Sequence, residues 1–228
     1  VIIITGAGGL VGRAMVRWFP RALALTRAQL DVTDAAAVRA LPRAEFIINC
    51  AVAGVAASES DPAAAEAVNV RGPALLAERC ERLAHFSTNY VDGVYGRTKR
   101  AGERYATTVI RTSWVFGEGK DNFFSAVHRR LRRGERVRAA SDVFSTVTYA
   151  EDLADRAVQI LTEPGIHEIA NAGLCSPYEF ALEAARLAGA DPSLIEAVSD
   201  ARHAPAIVTD PPLRHWRDAL AEYIIRAP

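Results

Sequence analysis

Tyr95 and Lys99 stand four residues apart in Tyr95-Gly96-Arg97-Thr98-Lys99. On a helix, residues at i and i+4 share a face, so a phenol and an ammonium would lie side by side. A phenol at its ordinary pKa of ~10 is a poor acid near neutrality. A neighbouring ammonium favours the phenolate, lowers that pKa and makes the phenol a usable proton donor. The spacing alone occurs by chance. It gains weight from Thr88, which ends the strand-like run His85-Phe86-Ser87-Thr88. Open α/β sheets hold ligands at the carboxyl ends of their strands. A hydroxyl placed there can hydrogen-bond a carbonyl and polarise it. The expected catalytic set is therefore Thr88, Tyr95 and Lys99, and its chemistry is proton transfer to a carbonyl oxygen.

A second constellation precedes it. Gly6-x-x-Gly9-x-x-Gly12 follows the β-branched run Val1–Thr5 and opens a helical stretch that Pro20 stops. Gly6 permits a sharp turn, Gly9 lets the backbone approach a pyrophosphate, and Gly12 allows close packing of helix on sheet. The unpaired N–H groups at the helix start, through Leu10 and Val11, then face the phosphates. No Gly-Lys-Ser/Thr follows, so this is not a P-loop. After the second strand comes Thr26-Arg27, with no acid before Asp31. NAD sites usually carry an acid there for the ribose, whereas a cation pairs with the 2′-phosphate of NADP. Arg27 is the first candidate for that cation and Arg13 the second, which favours NADPH modestly over NADH.

The elements that must position these residues follow from the apolar pattern. Strands are expected at 1–5, 22–25, 46–51, 84–88 and 108–112, and helices at 13–19, 35–40, 61–82 and 95–106. Asp34 and Asp61 are read as N-caps, and Gly72-Pro73 as a kink in the long third helix. Alternating strands and helices imply an α/β fold with a Rossmann-type doubly wound parallel sheet. Beyond Gly117 the pattern loosens. Helices are expected at 123–133, 151–161, 178–187 and 217–225, with strands at 137–139 and 166–170. The expected division is a dinucleotide-binding domain over 1–117, with 140–162 returning to it. A smaller, interleaved α/β substrate region occupies most of 118–228.

Composition excludes several alternatives. Lys plus Arg number 27 and Asp plus Glu 27; that balance argues against a nucleic-acid surface or a polybasic membrane anchor. No apolar run approaches the ~20 residues of a membrane helix, and 1–10 lacks the basic leader of a signal peptide. Cys50, Cys80 and Cys175 lie far apart without metal-ligand spacing. They read as buried thiols in a reducing compartment, so a cytoplasmic location is expected. The run Arg129-Arg130-Leu131-Arg132-Arg133 reads as a solvated helix face. Met15 is the only methionine, so further residues are expected before Val1.

Taken in order, several stretches resemble one family. They include Leu30-Asp31-Val32-Thr33-Asp34, Ile48-Asn49-Cys50-Ala51 and Ala67-Val68-Asn69-Val70-Arg71-Gly72-Pro73. Phe86-Ser87-Thr88-Asn89-Tyr90-Val91, the Tyr95–Glu103 stretch, Ile110–Gly117, Thr148–Ala154 and His215–Leu220 continue the likeness over nearly the whole chain. The chain resembles the extended short-chain dehydrogenase/reductases and, within them, the dTDP-4-dehydrorhamnose reductases. The resemblance implies that Tyr95 protonates the C4 oxygen of a nucleotide-linked keto sugar while NAD(P)H delivers hydride. It implies that Lys99 binds the nicotinamide ribose, that Thr88 orients the carbonyl and that Trp114 flanks the sugar. Asp31, Val32, Asn49, Ala51 and Asn69 would line or support the cofactor. Tyr149 and Trp216 are read as packing. Relatives imply a homodimer and a bound Mg²⁺, but no acidic cluster assigns a metal site here.

Departures accompany the likeness. Asn89 replaces the acid that follows the family's threonine, and only six residues separate Thr88 from Tyr95 where the family carries a loop of roughly twenty. The expectation is that residues belonging to a substrate lid are missing there. Val143-Phe144-Ser145-Thr146-Val147 stands in place of the family's Gln-x-Gly-x-Pro. Two other readings compete. One is a non-catalytic NADP-binding subunit, resembling the regulatory subunit of methionine adenosyltransferase. The other is a nucleotide-sugar epimerase or dehydratase; dehydratases usually carry Asp-Glu where Asn89-Tyr90 stands.

Overall fold

The structure, a computed structural model, describes residues 1–200, 205–207, 209 and 212–226. The chain forms two compact units, Val1–Thr112 with Ala154–Glu168, and Ser113–Leu153 with Ile169–Pro228. In chain order the first unit contains β1 (Ile2–Thr5), α1 (Leu10–Trp18), β2 (Leu23–Leu25), α2 (Ala35–Ala40), β3 (Ala44–Asn49), α3 (Val55–Ser60) and α4 (Pro62–Glu66). A π-helical turn at Ala67–Arg71 leads into α5 (Gly72–Ala77), β4 (Cys80–Thr88), α6 (Gly93–Gly102) and β5 (Thr108–Thr112). Next come β6 (Trp114–Phe116), α7 (Phe123–Arg132), β7 (Val137–Ala140), β8 (Ser145–Tyr149) and α8 (Ala150–Ile160). The chain continues through β9 (Gly165–Ile169), β10 (Asn171–Ala172), β11 (Leu174–Cys175), α9 (Pro177–Ala188), β12 (Ile195–Val198), β13 (Leu213–His215) and α10 (Trp216–Arg226).

The first unit is built on a six-stranded sheet of order β2-β1-β3-β4-β5-β9. β1 pairs in parallel with both β2 and β3, and β3, β4 and β5 continue in parallel. The order reverses between β1 and β3, so the crevice at their carboxyl ends is the topological switch point. Register places Ile3, Ile47 and Leu83 in one cross-strand row and Ile4, Ile48 and Ala84 in the next. Successive side chains on a strand point to opposite faces, and these six are at most 2 % exposed. Both faces are therefore covered, as a parallel sheet requires. Asp34 caps α2 by accepting from the Ala36 and Ala37 amides, and Asp61 caps α4 through the Ala64 amide.

The long helix expected over 61–82 is broken. Pro73 has no N–H to continue an α-helical ladder, and the turn before it is π-helical, with the Gly72 amide donating back to the Ala67 carbonyl. The helix then stops at Ala77, because Cys80–Leu83 pair with Ala44–Ile47 and extend β4. The connection from β4 to α6 is short and continuous, through Asn89–Asp92.

The two units divide at 112/113, and the segment returning to the first is 154–168. Trp114–Phe116 leaves the main sheet to pair with Val147–Tyr149, which keeps both stretches in the second unit. There a three-stranded sheet, β11-β8-β6, and two parallel pairs, β12-β7 and β10-β13, surround an aromatic core. Phe116 packs on Tyr149, Phe180 and Tyr223, and Phe180 stacks on Trp216. Tyr149 and Trp216 are thus packing residues, 3 % and 0 % exposed. Cys175 is buried, whereas Cys50 and Cys80, expected to be buried, are only partly so; all three are free thiols.

Candidate active site

The glycine turn lies at the switch point. Gly6 has φ +66°, and a Cβ there would meet the Ala51 amide and the Cys50 carbonyl carbon at 2.6 Å. A Cβ on Gly12 would lie 2.2 Å from the Gly6 carbonyl oxygen. Both positions are closed to larger residues, so the turn is pressed between β1, β3 and α1. Gly9 differs: its Cβ position meets only the Gly6 oxygen at 3.4 Å. Gly9 also begins α1 with no side-chain cap, and the first turn of α1 carries no acid. The amides of Leu10 and Val11 are left to a ligand, and an anion suits them. These features fit a dinucleotide pyrophosphate.

The Ala7 amide bonds the Leu25 carbonyl at the end of β2, and a Cβ on Gly8 would contact Thr26. Arg27 follows, exposed, beside this turn. Asp31 accepts from the Thr33 amide and hydroxyl at 2.9 and 2.7 Å. Those bonds, with Arg27 nearby, hold its carboxyl below the usual range. Val32 is buried in the core against Gly72, so its side chain serves packing. Asn69 divides its amide between the Ala53 backbone, at 3.0 and 3.3 Å, and the Thr98 hydroxyl, at 3.0 Å. It braces the segment after β3 against α6.

Tyr95 and Lys99 lie on α6, one turn apart. The Tyr95 amide donates to Glu59 of α3 at 3.1 Å, so a carboxylate from another helix caps α6. The Thr88 hydroxyl lies close enough to the Tyr95 phenol to favour its ionised form. The Tyr90 amide donates to the Thr88 oxygen at 3.2 Å, and the Tyr90 ring meets Tyr95 edge-on. Thr88 and Tyr95 are thus brought together at the carboxyl end of β4.

The expected electrostatic pairing of Lys99 with Tyr95 is not what the structure shows. Burial pushes the Tyr95 phenol up to about 12, against the opposing pull of the Thr88 hydrogen bond, with Tyr90 adding to the rise. Lys99 is itself buried, at 2 % exposure, and desolvation lowers it to about 8 against the opposing pull of Glu103. Its Nζ lies 3.3 Å from Nε2 of His85. Glu103 is held by Arg111 at 2.6 and 2.9 Å and by the Ser87 hydroxyl at 2.6 Å.

His85 and Glu59 were not singled out from the sequence. His85 had a readable mark: a polar residue inside an apolar central strand must find buried partners. Glu59 had none, since its cap is made across thirty-six residues. Trp114 lies in the second unit, stacked on Phe124 at 5.1 Å. Among the described residues no group of three His, Cys, Asp or Glu side chains converges to hold a metal. No described helix is long and apolar enough to cross a membrane.

The sheet order, the glycine turn at its switch point and the Tyr95–Lys99 helix define a Rossmann-like fold of the short-chain dehydrogenase/reductase type. A family model, the RmlD substrate binding domain, matches residues 1–93 and 92–227, and the chain belongs to that family. It is 35% identical to a dTDP-4-dehydrorhamnose reductase of Mycolicibacterium smegmatis, covering 98% of this chain and 84% of that one. It is 36% identical to the dTDP-4-dehydrorhamnose reductase of Mycobacterium tuberculosis H37Rv, covering 96% and 91%. Among solved structures, a dTDP-4-dehydrorhamnose reductase of Bacillus anthracis in complex with NADP matches with a TM-score of 0.89 at 23% identity, over 100% and 99% of the two chains.

Proposed function

We propose that this chain is an NADPH-dependent oxidoreductase that reduces the C4 keto group of a dTDP-linked deoxysugar. The substrate we assign is dTDP-4-dehydro-L-rhamnose, reduced to dTDP-L-rhamnose. The observation that carries this reading is the hydroxyl pair Thr88–Tyr95 at the end of β4, with Lys99 one helical turn on. β1, β3 and β4 run in parallel, so the Gly6 turn and Thr88 follow the same carboxyl edge of the sheet, which supports one site for the acid and the phosphate cradle. The curated relatives named for this reaction support it.

The dinucleotide, when bound, supplies the hydride. Gly9 and the first amides of α1 would hold its pyrophosphate, and Arg27 would pair with the 2′-phosphate. Thr88 donates a hydrogen bond to the sugar carbonyl, drawing electron density from C4. Tyr95 is protonated throughout the neutral range and donates its hydroxyl proton to the oxygen as charge develops there. Hydride at carbon and proton at oxygen complete the alcohol.

The test is direct. Wild-type chain with dTDP-4-dehydro-L-rhamnose should consume NADPH, followed by loss of reduced-nicotinamide absorbance. Absence of turnover in the wild type, or undiminished turnover in Tyr95→Phe, overturns the reading. Dinucleotide binding without keto-sugar turnover would favour a non-catalytic subunit.

A further inference from the structure

Thr5, Asn49 and His85 occupy one cross-strand row of β1, β3 and β4. They stand two residues beyond Ile3, Ile47 and Leu83, on the same face of the sheet. All three are buried, at 1 %, 0 % and 0 % exposure. The Thr5 hydroxyl donates to Asn49 Oδ1 at 2.7 Å, and the Ala51 amide donates to the same oxygen at 3.1 Å. A backbone N–H is only a donor, so Oδ1 is the oxygen and Nδ2 points the other way. Nδ2 lies 3.0 Å from Nδ1 of His85. That nitrogen must accept.

Burial holds His85 well below its ordinary titration range, so the ring is neutral. A neutral imidazole with an accepting Nδ1 carries its proton on Nε2, and Nε2 faces Lys99 Nζ. An ammonium there would set donor against donor. A free amine has a lone pair and accepts. The other titratable groups facing Lys99 do not reverse this. The Cys50 thiol is raised to about 12 by burial and carries no charge. Glu103 is already paired with Arg111.

We propose that His85 is a positioning residue whose tautomer, fixed by Asn49, offers an N–H to Lys99 and thereby weakens the hold of Lys99 on its proton in the dinucleotide-free site. This rests on the reading of Lys99 as the partner of Tyr95, but its test needs no turnover.

The sequence has only two lysines, Lys99 and Lys120, so the ligand-free full chain labelled with ¹³C,¹⁵N-lysine gives two resolvable side-chain signals. Lys120 is exposed and serves as reference. The Lys99 midpoint is expected more than one pH unit below the ordinary 10.5; a midpoint within one pH unit of it overturns the proposal. Asn49→Asp keeps acceptors for Thr5 and Ala51 but can only accept from His85, so the ring proton moves to Nδ1 and Nε2 becomes an acceptor. The Lys99 midpoint should then rise by about one pH unit or more, tenfold in proton affinity. In a His85→Phe background that rise should vanish. No rise in Asn49→Asp, or an equal rise in both backgrounds, means that the imidazole relays nothing. Should either variant fail to fold, ¹⁵N shifts of the wild-type ring decide: a protonated Nε2 and bare Nδ1 are expected, and the reverse overturns the proposal. A reductase that turns over with the reverse tautomer would sink this inference and leave the function standing.

Discussion

His85 and His128 are both fully buried imidazoles, one in each compact unit. His85 has a partner at each nitrogen, Asn49 at one and Lys99 at the other. His128 has none at either among the described residues, and lies edge-on to the Tyr223 ring at 5.3 Å. The first unit buries polar groups in an ordered row and satisfies each one, because orientation there sets which atom donates. The second packs a cluster of rings in which the imidazole of His128 serves as a flat filler. Burial keeps both histidines neutral, so the same physical effect has two uses: a defined tautomer in one unit and plain volume in the other.

If that contrast holds, changes in the first unit should move rates and pH profiles, and changes in the second should move stability. The largest expected effect is Tyr95→Phe, which should lower kcat by about 10²–10⁴, the usual contribution of a positioned proton donor, while the melting temperature stays close to wild type. Phe116→Ala should destabilise by about 3–5 kcal/mol in denaturant unfolding, since that ring is fully buried against Tyr149, Phe180 and Tyr223. A large loss of stability from Tyr95→Phe with little loss from Phe116→Ala would break the contrast.

A smaller effect comes from Lys99. It is lowered to about 8 in the fold from 10.5, so between those values the unfolded chain binds a proton that the native chain does not. Native stability should therefore rise with pH through that window. Lys99→Met should remove a gain on the order of 2 kcal/mol, read as the difference between the two proteins' unfolding curves at each end. The smallest effect belongs to His128, lowered to about 4 chiefly by burial, with Arg129 and Arg132 adding to it. Its contribution is complete above 6.5 and is lost as pH falls toward 4. His128→Phe should flatten that acid limb by on the order of 1 kcal/mol, measured by thermal melting across the range. His85 gives a limb of the same sign, so the flattening should be partial.

Much of the first unit was legible in the amino-acid sequence. Gly6 and Gly12 mark the turn because no larger residue fits there, and Asp34 and Asp61 mark their helices by local bonds. Legibility fails where distant partners decide. Residues 74–82 look helical by composition, yet Cys80–Arg82 become strand because Ala44–Phe46 stand ready to pair with them. β8 is buried at every position, so it shows no alternation to betray a strand. Thr88, Tyr95 and Lys99 were found by spacing, but spacing predicted that Lys99 would acidify Tyr95. Only the packed site reveals that desolvation dominates at both residues. β6 was equally hard to see, since it is three residues long and Trp114 finds its partner only at Val147.

The π-helical turn at Ala67–Arg71 has an evolutionary reading. Successive residues of an α-helix lie about 100° apart around its axis, and a π turn accommodates one residue more than the α-helical ladder would. That surplus residue is what aims Asn69 at both Ala53 and Thr98. Deleting any single residue between 67 and 71 would remove that surplus and rotate everything on one side by that angle. Asn69 would swing away from α6, and the helix bearing Tyr95 and Lys99 would lose its brace. Lineages of this chain can therefore change residue types along this turn more freely than they can change its length.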